Sequence, residues 1–204
     1  MPPSDSPRGR RIVLLRHGET EWARWGKHTG RTDVHLTELG EAQARRIGPA
    51  MDALELRDPL VIVSPRQRAR ETAELAGLKI QRTWDALAEW DYGIYEGMTT
   101  PEIRQQVPDW TVWTQPCPRG EQAEQVHTRC DLVLSVAHSQ LVDRDVILVG
   151  HGHFSRALIA RWAELPISEG RRFAMSPGAY SVLGFEHGAQ QVVSHNVTSE
   201  EGAR

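Results

Sequence analysis

Only two cysteines, Cys117 and Cys130, occur in the 204 residues. That count excludes a disulfide framework, their spacing matches no metal-ligand pattern, and at most a single bridge stays open. No apolar run approaches the ~20 residues needed to cross a bilayer. The first eleven residues (MPPSDSPRGRR) lack an apolar core, so they do not read as a cleaved secretory signal. An excess of one charge is missing too: 24 lysines and arginines face 27 aspartates and glutamates, for a net charge of −3. Such a balance offers no basis for nucleic acid or an anionic membrane as partner. A cytoplasmic protein is the expectation, and any site for an anion must concentrate its positive charge locally.

What is present is ordinary for a globular chain, with 39% hydrophobic and 25% charged residues. The length suits one domain over 1–204, with 1–10 and 198–204 as flexible termini. Ile12 to Leu15 and Leu60 to Val63 are short bounded apolar runs, as in buried strands. Thr37 caps a helix carrying Ile47, Ala50, Met51 and Leu54, and a second helix runs from about Arg66 to Ala76 before Gly77. From Trp84 to Gly120 the period is lost, which predicts loops with one short helix. Order returns with the helical stripe Val126, Cys130, Val133, Leu134 and Ala137, then a strand over Asp145 to Val149 and a helix with Ala157, Leu158 and Trp162. Ala179 to Phe185 and Gln190 to Ser194 flank the turn signal His187-Gly188.

Strands alternating with helices predict an α/β fold, a three-layer α/β/α sandwich whose mostly parallel sheet has an antiparallel edge. That edge leaves a surface on which a homodimer could form. Ligands of such sheets sit beyond the carboxyl ends of the strands. Arg16-His17-Gly18-Glu19, Ser64-Pro65 and Gly150-His151-Gly152 all follow predicted strands, so three distant segments should meet at one rim.

The stretch LLRHGETEW (Leu14 to Trp22) resembles the signature of the histidine phosphatase superfamily, which includes cofactor-dependent phosphoglycerate mutases and many phosphatases. SPRQRA (Ser64 to Ala69), LAEWDYGIYEG (Leu87 to Gly97) and VGHG (Val149 to Gly152) follow in the family's order, so the resemblance covers nearly the whole chain. It implies the phosphoglycerate mutase-like fold and the catalytic residues Arg16, His17, Arg68, Glu89 and His151. His17 would be the nucleophile, and Glu89 would protonate the leaving oxygen and later deprotonate water. His151 would donate to the transferring group, while guanidinium forks suit Arg16 and Arg68 to phosphate oxygens. Glu19 either orients the site or begins a helix. Thr29 and Gly30 fall where the family touches substrate on the first loop, with Gly152, Trp90 and Tyr92 as further binding candidates. Two departures stand out: Ala23 replaces a common asparagine, and Gly120-Glu121-Gln122 replaces Gly-Glu-Ser, so one bond to phosphate is absent or comes from elsewhere, with Thr29 as a candidate.

The chemistry explains the residue types. Phosphate monoesters hydrolyse so slowly that on the order of 20 kcal/mol or more of barrier must be removed, chiefly by alignment and by neutralising the equatorial oxygens. The pair His151 and His153 invites a metal, yet no cysteine or carboxylate cluster accompanies it. His153 begins the next helix or edges the pocket, and no metal or other cofactor is expected. Five tryptophans (Trp22, Trp25, Trp90, Trp110, Trp113) lie in the presumed site loops. They either pack those loops or wall a partly apolar pocket suited to a sugar or another small organic group.

Three functions compete. A phosphatase lets water reach the phosphohistidine, a mutase keeps water out, and a binding module retains the fold alone. Mutases of the family carry a longer, more basic middle segment, whereas Glu89 to Pro118 holds only Arg104. The segments EWDYGIYEGMTTPEIR and GKHTGRTD resemble small bacterial acid phosphatases and sugar-bisphosphate phosphatases. A phosphatase of small phosphorylated substrates is therefore expected, with phosphoglycerate mutase as the alternative.

Overall fold

Four consecutive apolar residues can all be buried in a strand only where both sheet faces are covered. Ile12 to Leu15 meet that condition: β1 (Ile12–Arg16) lies inside a six-stranded sheet. The computed structural model describes residues 9–198, so the expected flexible termini lie outside the described residues apart from Gly9, Arg10 and Thr198. The strand order is β3-β2-β4-β1-β5-β6, with β2 (Leu60–Val63), β3 (Arg82–Thr83), β4 (Val146–Gly150), β5 (Tyr180–Glu186) and β6 (Ala189–Val197). β3, β2, β4 and β1 run parallel, and β5 and β6 form the antiparallel edge.

Alternate residues of β1 point to opposite faces, and each face has its own core. Val13 and Leu15 pack with Ile47 and Met51 of α2 (Glu38–Ala53) and with Ala69 and Ala73 of α3 (Gln67–Leu75). Ile12 and Leu14 join the larger core, with Val126, Cys130 and Val133 of α5 (Ala123–Gln140) and Phe154, Leu158 and Trp162 of α6 (Gly152–Trp162). These are the expected three layers. Both cysteines are free and buried, so the one bridge left open by the sequence is not formed.

The remaining helices are short. The first, α1 (Glu21–Arg24), is capped by Thr20 and escaped the sequence reading because four residues carry no period. Glu19 therefore does not begin it; its carboxylate pairs with Arg24 at 2.7 Å and accepts the Thr37 hydroxyl at 2.9 Å. The last, α4 (Thr100–Arg104), is the one short helix expected in the irregular middle, and Thr99 and Glu102 close its capping box. No helix of the described residues is long and apolar enough to cross a membrane.

Candidate active site

In the parallel ladder Arg16 lies opposite Gly150, and the His17 amide donates to the Gly150 carbonyl at 3.0 Å. His17 and His151 consequently leave neighbouring strands at the same level, with ring centroids 5.3 Å apart at 64°. Gly18 follows His17 where a Cβ would come within 2.3 Å of the Gly40 carbonyl oxygen, so the turn packs directly on the start of α2. From β2 comes Ser64, whose hydroxyl lies 2.7 Å from His151 Nε2.

A carbonyl fixes the tautomer of His17, and a hydroxyl faces His151. His17 Nδ1 lies 2.7 Å from the Gly18 carbonyl and must carry the hydrogen. Its Nε2 therefore holds a lone pair, toward which Arg68 Nε donates at 3.3 Å. Burial first, then the Arg68 and Arg16 charges, hold the His17 pKa well below the ordinary imidazole value. Ser64 Oγ accepts from the Arg66 amide at 3.3 Å and has its own hydrogen to offer His151 Nε2. In that arrangement His151 bears its hydrogen on Nδ1, a buried atom with no partner among the described residues. Burial, followed by the charge of Arg68, lowers its pKa as well.

The two guanidinium groups are set differently. Arg68 is fully buried, and its two terminal nitrogens each donate at 2.9 Å to the carbonyls of Thr32 and Thr29. Arg16 donates through Nη1 to the Met175 carbonyl, while its buried Nε is unpartnered. A Cβ on Gly152 would stand 3.2 Å from Arg16 Cζ, so the close approach of helix and guanidinium favours glycine there. Arg16 Nε and His151 Nδ1 are thus unpaired buried donors beside a neutral nucleophilic nitrogen. A tetrahedral oxyanion would complete their hydrogen bonding.

Glu89 approaches the start of α6 from the irregular segment between β3 and α4. Its Oε1 accepts the Trp90 and Phe154 amides at 2.9 and 2.8 Å, and Oε2 accepts the His153 amide at 3.0 Å. His151, the N-cap of α6, makes no side-chain cap bond, and Glu89 takes that place at the positive end of the helix. His153 both stands in the first turn of α6 and edges the cavity.

Arg16, His17, Glu89, Thr29, Tyr92 and Gly152 line one cavity of about 240 Å³. Arg68 and His151 are absent from that lining but touch His17, Arg68 through Nε at 3.3 Å and His151 ring to ring. Gly30 and Trp90 lie outside the lining: Gly30 donates its amide to Glu96 at 3.0 Å, and the Trp90 indole donates to the Glu121 carbonyl at 3.0 Å. None of the five loop tryptophans walls this cavity; Trp90, Trp110 and Trp113 are core, and Trp25 is 64% exposed. That result selects the packing alternative for the buried three. The wall is made instead by residues the sequence did not single out, His28, Lys27, Thr100 and Arg156, together with Tyr92 and His153. The i to i+4 spacing from Gly152 to Arg156 was the available signal for one of them. A larger cavity of about 460 Å³ opens around Arg11 and Asp145, at the other end of β1 and β4, and holds none of the groups at the rim.

Similarity to known proteins agrees with this geometry. The profile of the histidine phosphatase superfamily (branch 1) matches residues 12–198. An acid phosphatase of Mycobacterium tuberculosis is 51% identical over 191 residues, covering 94% of both chains. Sedoheptulose 1,7-bisphosphatase of Saccharomyces cerevisiae is 33% identical over 198 residues, covering 82% of this chain and 71% of its own. A solved structure, that of the Mycobacterium tuberculosis open reading frame Rv3214, superposes with a TM-score of 0.93 at 51% identity, covering 94% of this chain and all of the other. With the profile running from the first strand to the last, and the motif histidines meeting at the sheet's carboxyl rim, the chain belongs to branch 1 of the histidine phosphatase superfamily.

Proposed function

We propose that the chain hydrolyses small phosphate monoesters in two in-line displacements at His17. The observation carrying this reading is the lone pair on His17 Nε2 beside the unpaired donors Arg16 Nε and His151 Nδ1. In the first step Nε2 attacks phosphorus and the bond to the ester oxygen breaks, that oxygen taking a proton from Glu89. In the second, water attacks phosphorus, Glu89 receives its proton, and the phosphorus–nitrogen bond breaks to release phosphate. Glu89 Oε2 accepts one backbone bond against two at Oε1, so Oε2 has the capacity left for that proton. Arg16, Arg68 and the His151 N–H neutralise the equatorial oxygens throughout.

The similarity to an acid phosphatase supports broad hydrolysis at mildly acidic pH, and that to a sugar bisphosphatase supports a sugar or polyol ester. Turnover at pH 9 equal to that at mildly acidic pH would contradict Glu89 as proton donor. We extend the reading to a single-domain cytoplasmic enzyme that takes a small phosphorylated substrate and no nucleic acid, with β6 as the edge for a homodimer. A solution mass of one chain would remove the pairing.

Incubating the protein with an ester and quenching in alkali should leave a phosphoryl group on His17 by mass spectrometry. His17→Ala should lose turnover by a factor on the order of a thousand or more while keeping its circular dichroism. An adduct at another residue, or turnover surviving in His17→Ala, would overturn the nucleophile. A panel that includes 3-phosphoglycerate with its bisphosphate primer tests the mutase alternative, since isomer formation outrunning phosphate release would favour it.

A further inference from the structure

The Arg16 guanidinium hangs on one hydrogen bond. Among the described residues its side chain bonds only the Met175 carbonyl, through Nη1. That carbonyl belongs to the peptide unit whose other end is the Ser176 N–H. The unit is planar, and in its trans form the two groups point opposite ways. The N–H donates to Asn196 Oδ1 at 2.6 Å. A single rigid plane thus runs from Asn196, near the end of β6, to the guanidinium. Turned over, it would present an N–H to Arg16, and a donor cannot hold another donor. A carbonyl whose own N–H is engaged is also the better acceptor.

Asn196 reaches that plane because β6 is irregular there. Tyr180 pairs with Val197 and Val182 with Ser194, so His195 and Asn196 together face Ser181 alone. Such a bulge re-aims side chains at the edge of a sheet. Asn196 has φ +52°, in the left-handed region that asparagine tolerates better than most residues. Its amide donates to Ser181 Oγ at 3.1 Å, which anchors the residue from β5. Ser181 is fully buried, and its hydroxyl also lies 3.7 Å from Met175 Sδ. The 175–179 turn is tied to β1 as well. The Arg16 amide donates to the Ala179 carbonyl and the Gly178 amide to that of His17, each at 3.0 Å. Neither of those bonds involves the plane between Met175 and Ser176.

We infer that Asn196 is a positioning residue for phosphoryl transfer: it sets the Met175–Ser176 peptide so that the carbonyl aims the unpartnered Nε of Arg16 at the anion. This rests on the reading that Arg16 grips the phosphoryl group. The role is distinct from closing the bulge, which any residue able to take a left-handed backbone could do.

Titration calorimetry with inorganic phosphate tests it, because the folded fraction of a variant enters the stoichiometry and not the dissociation constant. Asn196→Gly keeps the left-handed backbone and removes the acceptor. It should weaken phosphate binding about three- to tenfold, the range of one neutral hydrogen bond, and lower kcat/KM at least as much. Asn196→Ser, whose hydroxyl stops one bond short of the Oδ1 position, should behave alike and serves if the glycine variant does not fold. Asn196→Asp, which keeps an acceptor at the same reach, should bind phosphate close to the wild-type affinity. In an Arg16→Met background Asn196→Gly should change that affinity little, since the group it acts through is gone. Wild-type affinity in Asn196→Gly and Asn196→Ser, whatever their melting temperatures, overturns the inference and leaves Asn196 as part of the bulge. So does an effect that survives undiminished in the Arg16→Met background, or an Asn196→Asp variant as weak as the glycine one. A wild type that binds no phosphate and hydrolyses no ester would overturn the phosphatase reading along with it.

Discussion

At the scale of single residues, the site depends on which imidazole nitrogen carries the hydrogen. At His151 the group placed to set this is the Ser64 hydroxyl, and Ser64→Ala would remove its bond to Nε2. We expect kcat to fall on the order of tenfold, the equivalent of about one hydrogen bond, with the fold retained; an unchanged kcat would remove Ser64 from this role. The lowered His17 pKa has its own signature. An ordinary imidazole, with a pKa near 6.5, would be about nine-tenths protonated at pH 5.5 and unable to attack. His17, depressed by burial and by two guanidinium groups, stays neutral to lower pH than such a group and is lost only as pH falls through its lowered value. Accordingly, kcat at pH 5.5 should be no lower than at pH 7, and a tenfold loss over that interval would refute the depressed titration. His17 and His151 could be read from the sequence because each stands in a motif behind an apolar run. The bond from the Ser64 hydroxyl to His151 could not, since the motif SPRQRA brought Ser64 to the rim without giving it a partner there.

At the scale of elements, one carboxylate ties the catalytic loop to a helix. Glu89 caps α6 in place of a side chain at His151, so Glu89→Gln should act twice. Stability should drop by about 1 kcal/mol, as for a lost N-cap. Turnover should drop far more for an alkyl phosphate than for p-nitrophenyl phosphate, whose leaving group needs no proton. Equal losses on the two esters would leave Glu89 as a cap alone. The elements themselves were legible wherever apolar residues ran together or recurred: β1, β2, β4 and α2 stand where the pattern places them. β3 was not, because Arg82 and Thr83 are exposed and pair only with the ends of β2. β6 runs three residues past Ser194, since at an edge the backbone pairing with β5 continues with little demand on the side chains.

At the scale of the molecule, the site makes stability depend on acidity. His17, His28, His151 and His153 all have lowered pKa values, chiefly through burial, and His28 falls to about 4. Each group binds its proton more readily when unfolded. The stabilisation is complete above about pH 6.5 and is lost as pH falls toward the folded values, about 3 kcal/mol for His28 alone. The melting temperature should hold near pH 7 and decline toward pH 4, with inorganic phosphate raising it by mass action. A flat profile between pH 7 and 4.5 would contradict this assignment. The fold and the meeting of His17 and His151 at one rim were legible from the sequence, whereas the cavity wall was not. Tryptophans of the site loops turned inward because their indole N–H groups found carbonyls, those of Glu121 for Trp90 and Pro116 for Trp110. Finally, the rung that sets Arg16 against Gly150 separates two kinds of inheritance. The spacing of His17 and His151 is carried by main chain in the middle of the sheet, while Lys27, His28 and Thr100 come from segments outside it. Descendants of this chain can therefore change their diet by altering peripheral side chains and still keep the same way of breaking the bond.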